Sequence, residues 1–502
     1  MGENLGRLRE RLADISRLRE AGAVLGWDRQ TYMPPAGAAS RAAQLSTIER
    51  MAHELFIDDV TGELLEAARA ELNGAAPESD DASLVRVTTR DYENDRKLPP
   101  TFVREMTEHS VLAQQIWIEA RENNDFRTFM PALAGTIDLA RRMADYLGYE
   151  GEMYDALLDV FEPGMKTERV AALFAELKSE LVPLVAAIAE RSDRVDDAVL
   201  HQSFDERLQE EFGTMMAEKF GFDFQRGRLD RTVHPFAVGF TRNDVRITTR
   251  FDPNFLTSSL FSTLHEAGHG MYEQGIGASL EGTPLAHGTS LGVHESQSRL
   301  WENIVGRSLD TWQHFYPLLQ ETFPQLDDID LQTFYGAINR VYPSLIRVEA
   351  DEVTYNLHIM LRFEMERELL AGAYPLAEAP EVWNEKMRSY FGVTPPNDTQ
   401  GILQDVHWSG GMMGYFPTYT IGTVLSAQLF DAARRAYPTI PEEMRAGEFG
   451  NLHGWLTENI YQHGSKFQPE ELIVRATGEP LQTRSYIGYL KTKFGDLYGL
   501  AG

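Results

Sequence analysis

The sequence predicts a mainly α-helical protein with one small β-sheet beside its candidate site. Apolar residues recur at the helical period through segments such as 168-ERVAALFAELKSELVPLVAAIAERS-192 and 353-VTYNLHIMLRFEMERELLAG-372. Period-two alternation is confined to 232-TVHPFAVGFTRNDVRITTRFDPN-254, where β-branched and aromatic residues alternate with polar ones. No internal repeat, low-complexity tract or long Gly/Ser linker interrupts the chain. Its 502 residues fit one large domain or two to three ordinary ones.

Taken in order, MGENLGRLRERLADISRLREAG reads as an amphipathic helix, because it lacks the apolar core of an export signal. The stretch 74-GAAPESDDAS-83 reads as a solvated loop. Two or three short strands follow near the middle of the chain, with 242-RND-244 as a turn. Asp252-Pro253 then opens a helix, Asp as N-cap and Pro at the first helical position. That helix runs from about residue 254 to about 274 and stops at Gly275 or Gly277. After the loop 281-EGTPLAHGTSLG-292, the segment 292-GVHESQSRLWENIVG-306 forms another helix.

Composition narrows the function. A net charge of -29 repels nucleic acid and anionic membranes, so neither is an expected partner. No apolar run approaches the roughly 18 residues that cross a bilayer. The chain has no cysteine, so a metal site must use His, Asp or Glu, as a reducing compartment favours. A cytoplasmic location is the expectation. A substrate carrying a carboxylate needs a dedicated cation in a chain this acidic.

The helix after the strands carries 263-TLHEAGHGMYEQG-275. At about 100° per residue, His265 and His269 lie about 40° apart, and Glu266 about 60° from His269. Two neutral imidazoles can hold one zinc ion, and the adjacent carboxylate can reach a zinc-bound water. Glu266 would take that water's proton and later deliver it to a leaving amine. Gly268 and Gly270 each cost about 1 kcal/mol inside a helix, so something packs closely there or the face must stay open. A third ligand is required, and chemistry alone leaves Glu295, His294, Glu302 and His287 as candidates.

Around this helix stand 234-HPF-236, 244-DVRIT-248, 265-HEAGH-269, 294-HESQ-297, 346-IRVEAD-351 and 401-GILQDVHW-408, with 25-LGWDRQTYMPP-35 near the start. In this order the set resembles the carboxypeptidase Taq family of zinc metallocarboxypeptidases across essentially the whole chain. The resemblance implies His265, His269 and Glu295 as metal ligands and Glu266 as general base. It implies release of single C-terminal amino acids from peptides with broad specificity and poor action next to proline. The wider helical zinc-peptidase group also holds dipeptidyl-carboxypeptidases and oligoendopeptidases, which form the alternative reading. The implied fold is helical, similar to neurolysin and angiotensin-converting enzyme: a single catalytic domain, residues 1–502, with two helical lobes flanking a deep groove. One zinc per chain, cobalt as a possible substitute, and a homodimer are implied as well.

The other motifs then take roles. Arg suits an α-carboxylate through its bidentate fork, and Arg347 in IRVEAD is the first choice, Arg246 the second. His234, expected on a strand before the histidine helix, would line a substrate subsite with Phe236. The glycine-rich stretch 407-HWSGGMMGYFPTYT-420 suggests a mobile loop. Related helical zinc peptidases place a Tyr about a dozen residues after a His. His407 and Tyr419 match, as donors to the carbonyl oxygen, with Tyr415 as rival or substrate contact. Trp27 and Asp28 read as structural, in an N-terminal helical hairpin.

Overall fold

A computed structural model describes residues 2–500. The chain forms two compact units, each built from three separate segments. Unit 1 takes Met1–Arg96, Asp197–Ile338 and Ser426–Leu481; unit 2 takes Lys97–Asp196, Asn339–Leu425 and Gln482–Gly502. Helices dominate both, and among the described residues no helix is long and apolar enough to cross a membrane.

Unit 1 opens with a helical hairpin, Glu3–Thr31 and Ala38–Ile57. Leu5, Leu8, Leu12 and Ile15 repeat at three- and four-residue spacing, and that stripe is buried against Phe56, Leu64, Leu65 and Leu84. The stretch predicted as a loop is shorter than expected. A helix, Asp80–Lys97, already starts at Asp80, with both Asp80 and Asp81 in its first turn, where the helix dipole favours carboxylates.

The sheet has three strands: β1 (Gly227–Arg231), β2 (Ala237–Thr241) and β3 (Asp244–Thr249). β3 is central, parallel to β1 and antiparallel to β2. His234 is not on a strand. It lies in the exposed link between β1 and β2. Pro235 has no N–H to give a ladder, and Phe236 is tied instead to Thr248: its N–H donates to Oγ1 at 2.8 Å, and its carbonyl accepts from the Thr248 N–H at 2.9 Å. That stitch joins the HPF and DVRIT motifs.

The histidine helix spans Leu256–Gly275. Asp252 does not cap it. Its Oδ1 accepts from the Asn254 N–H at 2.8 Å, closing a turn, and Phe255 (φ -148°, ψ 100°) stands in extended conformation at the N-cap. The return helix, Leu291–Arg299, is capped by Ser290, whose hydroxyl accepts from the Val293 N–H. It runs into a π-helical turn, Leu300–Val305.

Unit 2 packs helices Thr167–Ala189, Tyr355–Ala371 and Ala379–Phe391 around Leu173, Phe174, Leu177, Leu361, Phe363, Trp383 and Met387, all buried. Tyr355–Ala371 is buried almost all round. His358, Arg362 and Glu366 form a polar stripe on it at four-residue spacing, and each is 0% exposed. Groups buried so completely need partners. His358 bonds the Ser344 carbonyl, Arg362 bonds Asp405, and Glu366 accepts from Tyr154, Trp408 and the Gly414 N–H.

Candidate active site

In unit 1 the histidine rings stand 5.0 Å apart. Nε2 of both faces one oxygen, Oε2 of Glu295, at 3.7 Å from His265 and 3.4 Å from His269. Ligand atoms from these three residues all lie within 4.8 Å of one another, the one such group found among the described residues. His287 is exposed in its loop. The two other candidates for a third ligand serve the histidines instead. Glu302 Oε2 lies 2.8 Å from Nδ1 of His265, and Nδ1 of His294 lies 2.6 Å from Nδ1 of His269. With each Nδ1 engaged, the Nε2 atoms point into shared space, which is the arrangement a ligating imidazole requires. Two imidazoles and a carboxylate form a donor set that suits a divalent metal ion.

Arg299 completes the frame. Its Nε donates to Glu295 Oε1 at 2.6 Å and its Nη1 to Glu302 Oε2 at 3.2 Å. The other Glu295 oxygen, Oε2, which accepts from the Ser298 hydroxyl at 2.9 Å, is thereby the one that faces the histidines. Sequence reasoning passed over Arg299, although a cation four residues after Glu295 on a helix was a usable signal. It also offered Glu302 as a ligand, because the π-helical turn that aims Glu302 at Nδ1 leaves no mark in the sequence.

The electrostatics are uneven. Burial pulls His269 down to about 4. It pulls on His265 too, but the Glu295 charge and the Glu302 hydrogen bond outweigh it and lift that imidazole to about 9. Burial favours the neutral acid at Glu295 and is overcome by Arg299 and the two histidines, which hold the carboxyl well below its usual range. Glu266 is pushed up to about 7, chiefly by burial, against the opposing charge of His265. Its carboxylate is 6% exposed and, among the described residues, accepts no hydrogen bond. A ligating imidazole must be unprotonated, so a proton and a metal ion compete for His265.

The glycines clear protein. A Cβ on Gly268 would stand 2.6 Å from the Gln297 carbonyl oxygen and 2.7 Å from Ser298 Cα, both in the return helix. A Cβ on Gly270 would meet Phe222 at 2.5 Å and Ile247 of β3 at 3.2 Å. Gly268→Ala therefore destabilises the metal-free protein by about 1–3 kcal/mol, since backbone cannot step aside. Gly454, in helix Gly450–Asn459, is exposed, and a Cβ there would meet nothing within 4 Å. Gly454→Ala stabilises by up to about 1 kcal/mol. Urea unfolding of the two variants checks the opposite signs.

Arg246 is committed. Its Nε and Nη2 donate to the Asp244 carboxylate at 2.9 and 3.0 Å, and its guanidinium lies 4.2 Å from the Trp27 ring centre. Trp27 thus fixes the N-terminal hairpin to the sheet. Asp28, beside it, pairs with Arg41 at 2.6 Å.

In unit 2, Arg347 sits on a short turn, Arg347–Glu349, and is 6% exposed. Its Nε donates to Asp405 Oδ1 at 2.9 Å and its Nη1 to the Tyr355 hydroxyl at 3.1 Å, while Gln404 accepts from its backbone N–H. Arg362 grips the other oxygen of Asp405, at 2.6 Å from Nε. Two guanidiniums share one carboxylate, so the cluster keeps a surplus positive charge in a chain of net charge -29. His407 Nε2 lies 3.3 Å from the Tyr419 hydroxyl, and Tyr415 packs 5.6 Å from the His407 ring. Burial pulls His407 down to about 4, so its imidazole is neutral.

The 407–416 segment is anchored rather than loose. Trp408 and the Gly414 N–H both donate to Glu366, at 2.9 and 3.1 Å. Gly414 has φ +94° and Leu157 backbone within 2.7 Å of a would-be Cβ, so this tight turn accepts only glycine.

The family model for carboxypeptidase Taq (M32) metallopeptidases matches residues 7–494. The chain is 41% identical over 495 residues to Thermostable carboxypeptidase 1 of Thermus thermophilus, covering 97% of each. It is 39% identical to Carboxypeptidase 1 of Bacillus subtilis, again over 97% of each. The crystal structure of an M32 carboxypeptidase from Deinococcus radiodurans superposes with a TM-score of 0.97 at 42% identity, over 99% of this chain and 100% of that one. A Pyrococcus furiosus carboxypeptidase gives 0.95 at 38% identity, over 98% and 99%.

Proposed function

The chain belongs to the carboxypeptidase Taq (M32) metallopeptidase family and is a metallocarboxypeptidase, and from that premise we propose that it releases single C-terminal residues from peptides, with broad specificity, using zinc held by His265, His269 and Glu295. Zinc, or cobalt in its place, supplies a Lewis acid that polarises the scissile carbonyl and acidifies water. Glu266 takes the proton of the attacking water and passes it to the leaving amine. Its raised carboxyl and its freedom from hydrogen bonds suit a group that must gain and lose a proton in one turnover. His407, neutral, and Tyr419 donate hydrogen bonds as charge builds on the carbonyl oxygen. Arg347 receives the substrate's α-carboxylate, with Asp405, itself gripped by Arg362 on its other oxygen, holding the Arg347 guanidinium in place. Arg246 is the second candidate for the substrate's carboxylate, His234 lines a substrate subsite, and Tyr415 is the rival of Tyr419 or a further substrate contact.

The observation that carries this reading is the convergence of two imidazole Nε2 atoms on Glu295 Oε2 beside an uncommitted carboxylate. The surplus cation at Arg347 turns it toward peptides with a free C-terminus. A homodimer in the cytoplasm completes the proposal.

The test is a mixed peptide set, as free acids and as C-terminal amides, incubated with metal-loaded and with chelated protein. Mass spectrometry reads the products. Single residues from the free acids, and nothing from the amides or after chelation, is the expected result. Dipeptides point to a dipeptidyl-carboxypeptidase. Internal fragments, with amides cleaved as fast as acids, replace the reading with an oligoendopeptidase.

A further inference from the structure

His269 lacks what His265 has. A carboxylate, Glu302, orients His265 directly, whereas the partner of His269 is another imidazole. An imidazole can donate or accept at Nδ1, and only one choice leaves His269 able to bind a cation. If His294 donates from Nδ1, His269 must carry its proton on Nε2, the atom that faces Glu295. If His294 accepts at Nδ1, His269 donates there and its Nε2 lone pair is free.

Glu273 decides between them. Its Oε1 lies 2.7 Å from Nε2 of His294. A carboxylate only accepts, so His294 carries a proton on Nε2, and in its neutral form it then presents a bare Nδ1 to His269 at 2.6 Å. We propose that Glu273 is a positioning residue for the metal centre, acting through His294 to fix the tautomer of His269. Glu273 lies one turn after His269 on the same helix, so a single element carries both the first and the last member of the chain.

Two glycines hold the chain in place. A Cβ on Gly239 of β2 would stand 2.9 Å from Glu273 Oε2. A Cβ on Gly288 would stand 2.8 Å from His294 Cδ2, and the Tyr272 ring lies 5.1 Å from the His294 ring. Sheet, loop and helix thus confine both side chains to one arrangement.

The inference rests on His269 being a metal ligand. The test measures zinc and cobalt dissociation constants by chelator competition for wild type, Glu273→Gln, His294→Phe and the double variant, with the visible spectrum of the cobalt form as a second readout. His269→Ala is the control for the ligand reading. A glutamine can donate as well as accept, so it releases the tautomer without changing size. Glu273→Gln is expected to weaken metal binding about ten- to hundredfold, the range for outer partners of a ligand, and to shift the cobalt bands. In the His294→Phe background the same change has no further effect. Gly239→Ala, which pushes on the Glu273 carboxylate, weakens binding in the same direction and serves if Glu273→Gln does not fold. Metal affinity within twofold of wild type in Glu273→Gln overturns the proposal, and so does an undiminished effect in the His294→Phe background. Unchanged affinity in His269→Ala instead overturns the ligand reading.

Discussion

Glu266→Gln lowers kcat about 10³-fold while the protein keeps its full complement of metal. General acid–base groups contribute about 10²- to 10⁴-fold, and this residue is asked to serve in both directions of one turnover. The substitution is a clean one here. Among the described residues none donates a hydrogen bond to Glu266, so an amide of equal size strands no existing donor. It also removes a carboxyl that burial disfavours, so the thermal midpoint of the metal-free variant holds or rises. Turnover above a tenth of wild type with metal bound would sink the assignment of Glu266, and loss of metal would recast it as a ligand. Steady-state kinetics with metal analysis of the same preparation decides.

Arg347→Ala lowers kcat/KM on free-acid peptides about 10²- to 10³-fold and removes the preference for acids over amides. Truncating one member of a buried, hydrogen-bonded charge pair costs about 2–5 kcal/mol. The fold tolerates the change because Asp405 keeps Arg362 on its other oxygen. Arg347→Lys restores little, since a single ammonium cannot hold Asp405 and also present donors to a substrate carboxylate. Metal affinity stays at the wild-type value. The decisive quantity is the acid-to-amide ratio: a variant that loses rate on both alike marks Arg347 as part of the scaffold and not a receptor.

Much of unit 1's centre was legible because its signals are local. The four-residue spacing of His265 and His269 fixes their common face, and two glycines in a helix announce a close neighbour. The identity of that neighbour is a matter of packing: Gly268 clears the return helix, which only the fold brings there. Glu295 could not be separated from Glu302 and His294 by chemistry, since all three can ligate. A π-helical turn and the stance of Arg299 separate them. β1 escaped because GRLDR carries charges where a strand signal needs apolar alternation; its edge position lets Arg228 and Arg231 stay exposed. The helix start was misplaced by two residues because Asp252 spends its side chain on a turn. In unit 2, Arg347 was readable as a cation in an acidic chain. Its companion Arg362 lies in an amphipathic pattern that a buried helix does not keep, so nothing in the sequence set it apart.

The interleaving of the two units bears on how the chain is made. Unit 1 is not finished until its third segment, Ser426–Leu481, has left the ribosome. That segment supplies Tyr461, which fills the space beside Gly275 at the end of the histidine helix and accepts the Trp301 indole N–H at 3.1 Å. A nascent chain can therefore hold both histidines, Glu295 and Glu266 outside the exit tunnel while the wall behind them is still being translated. Synthesis order thus delays the packing at the end of the histidine helix until Ser426–Leu481 has emerged, and no contiguous fragment of the chain carries either unit by itself.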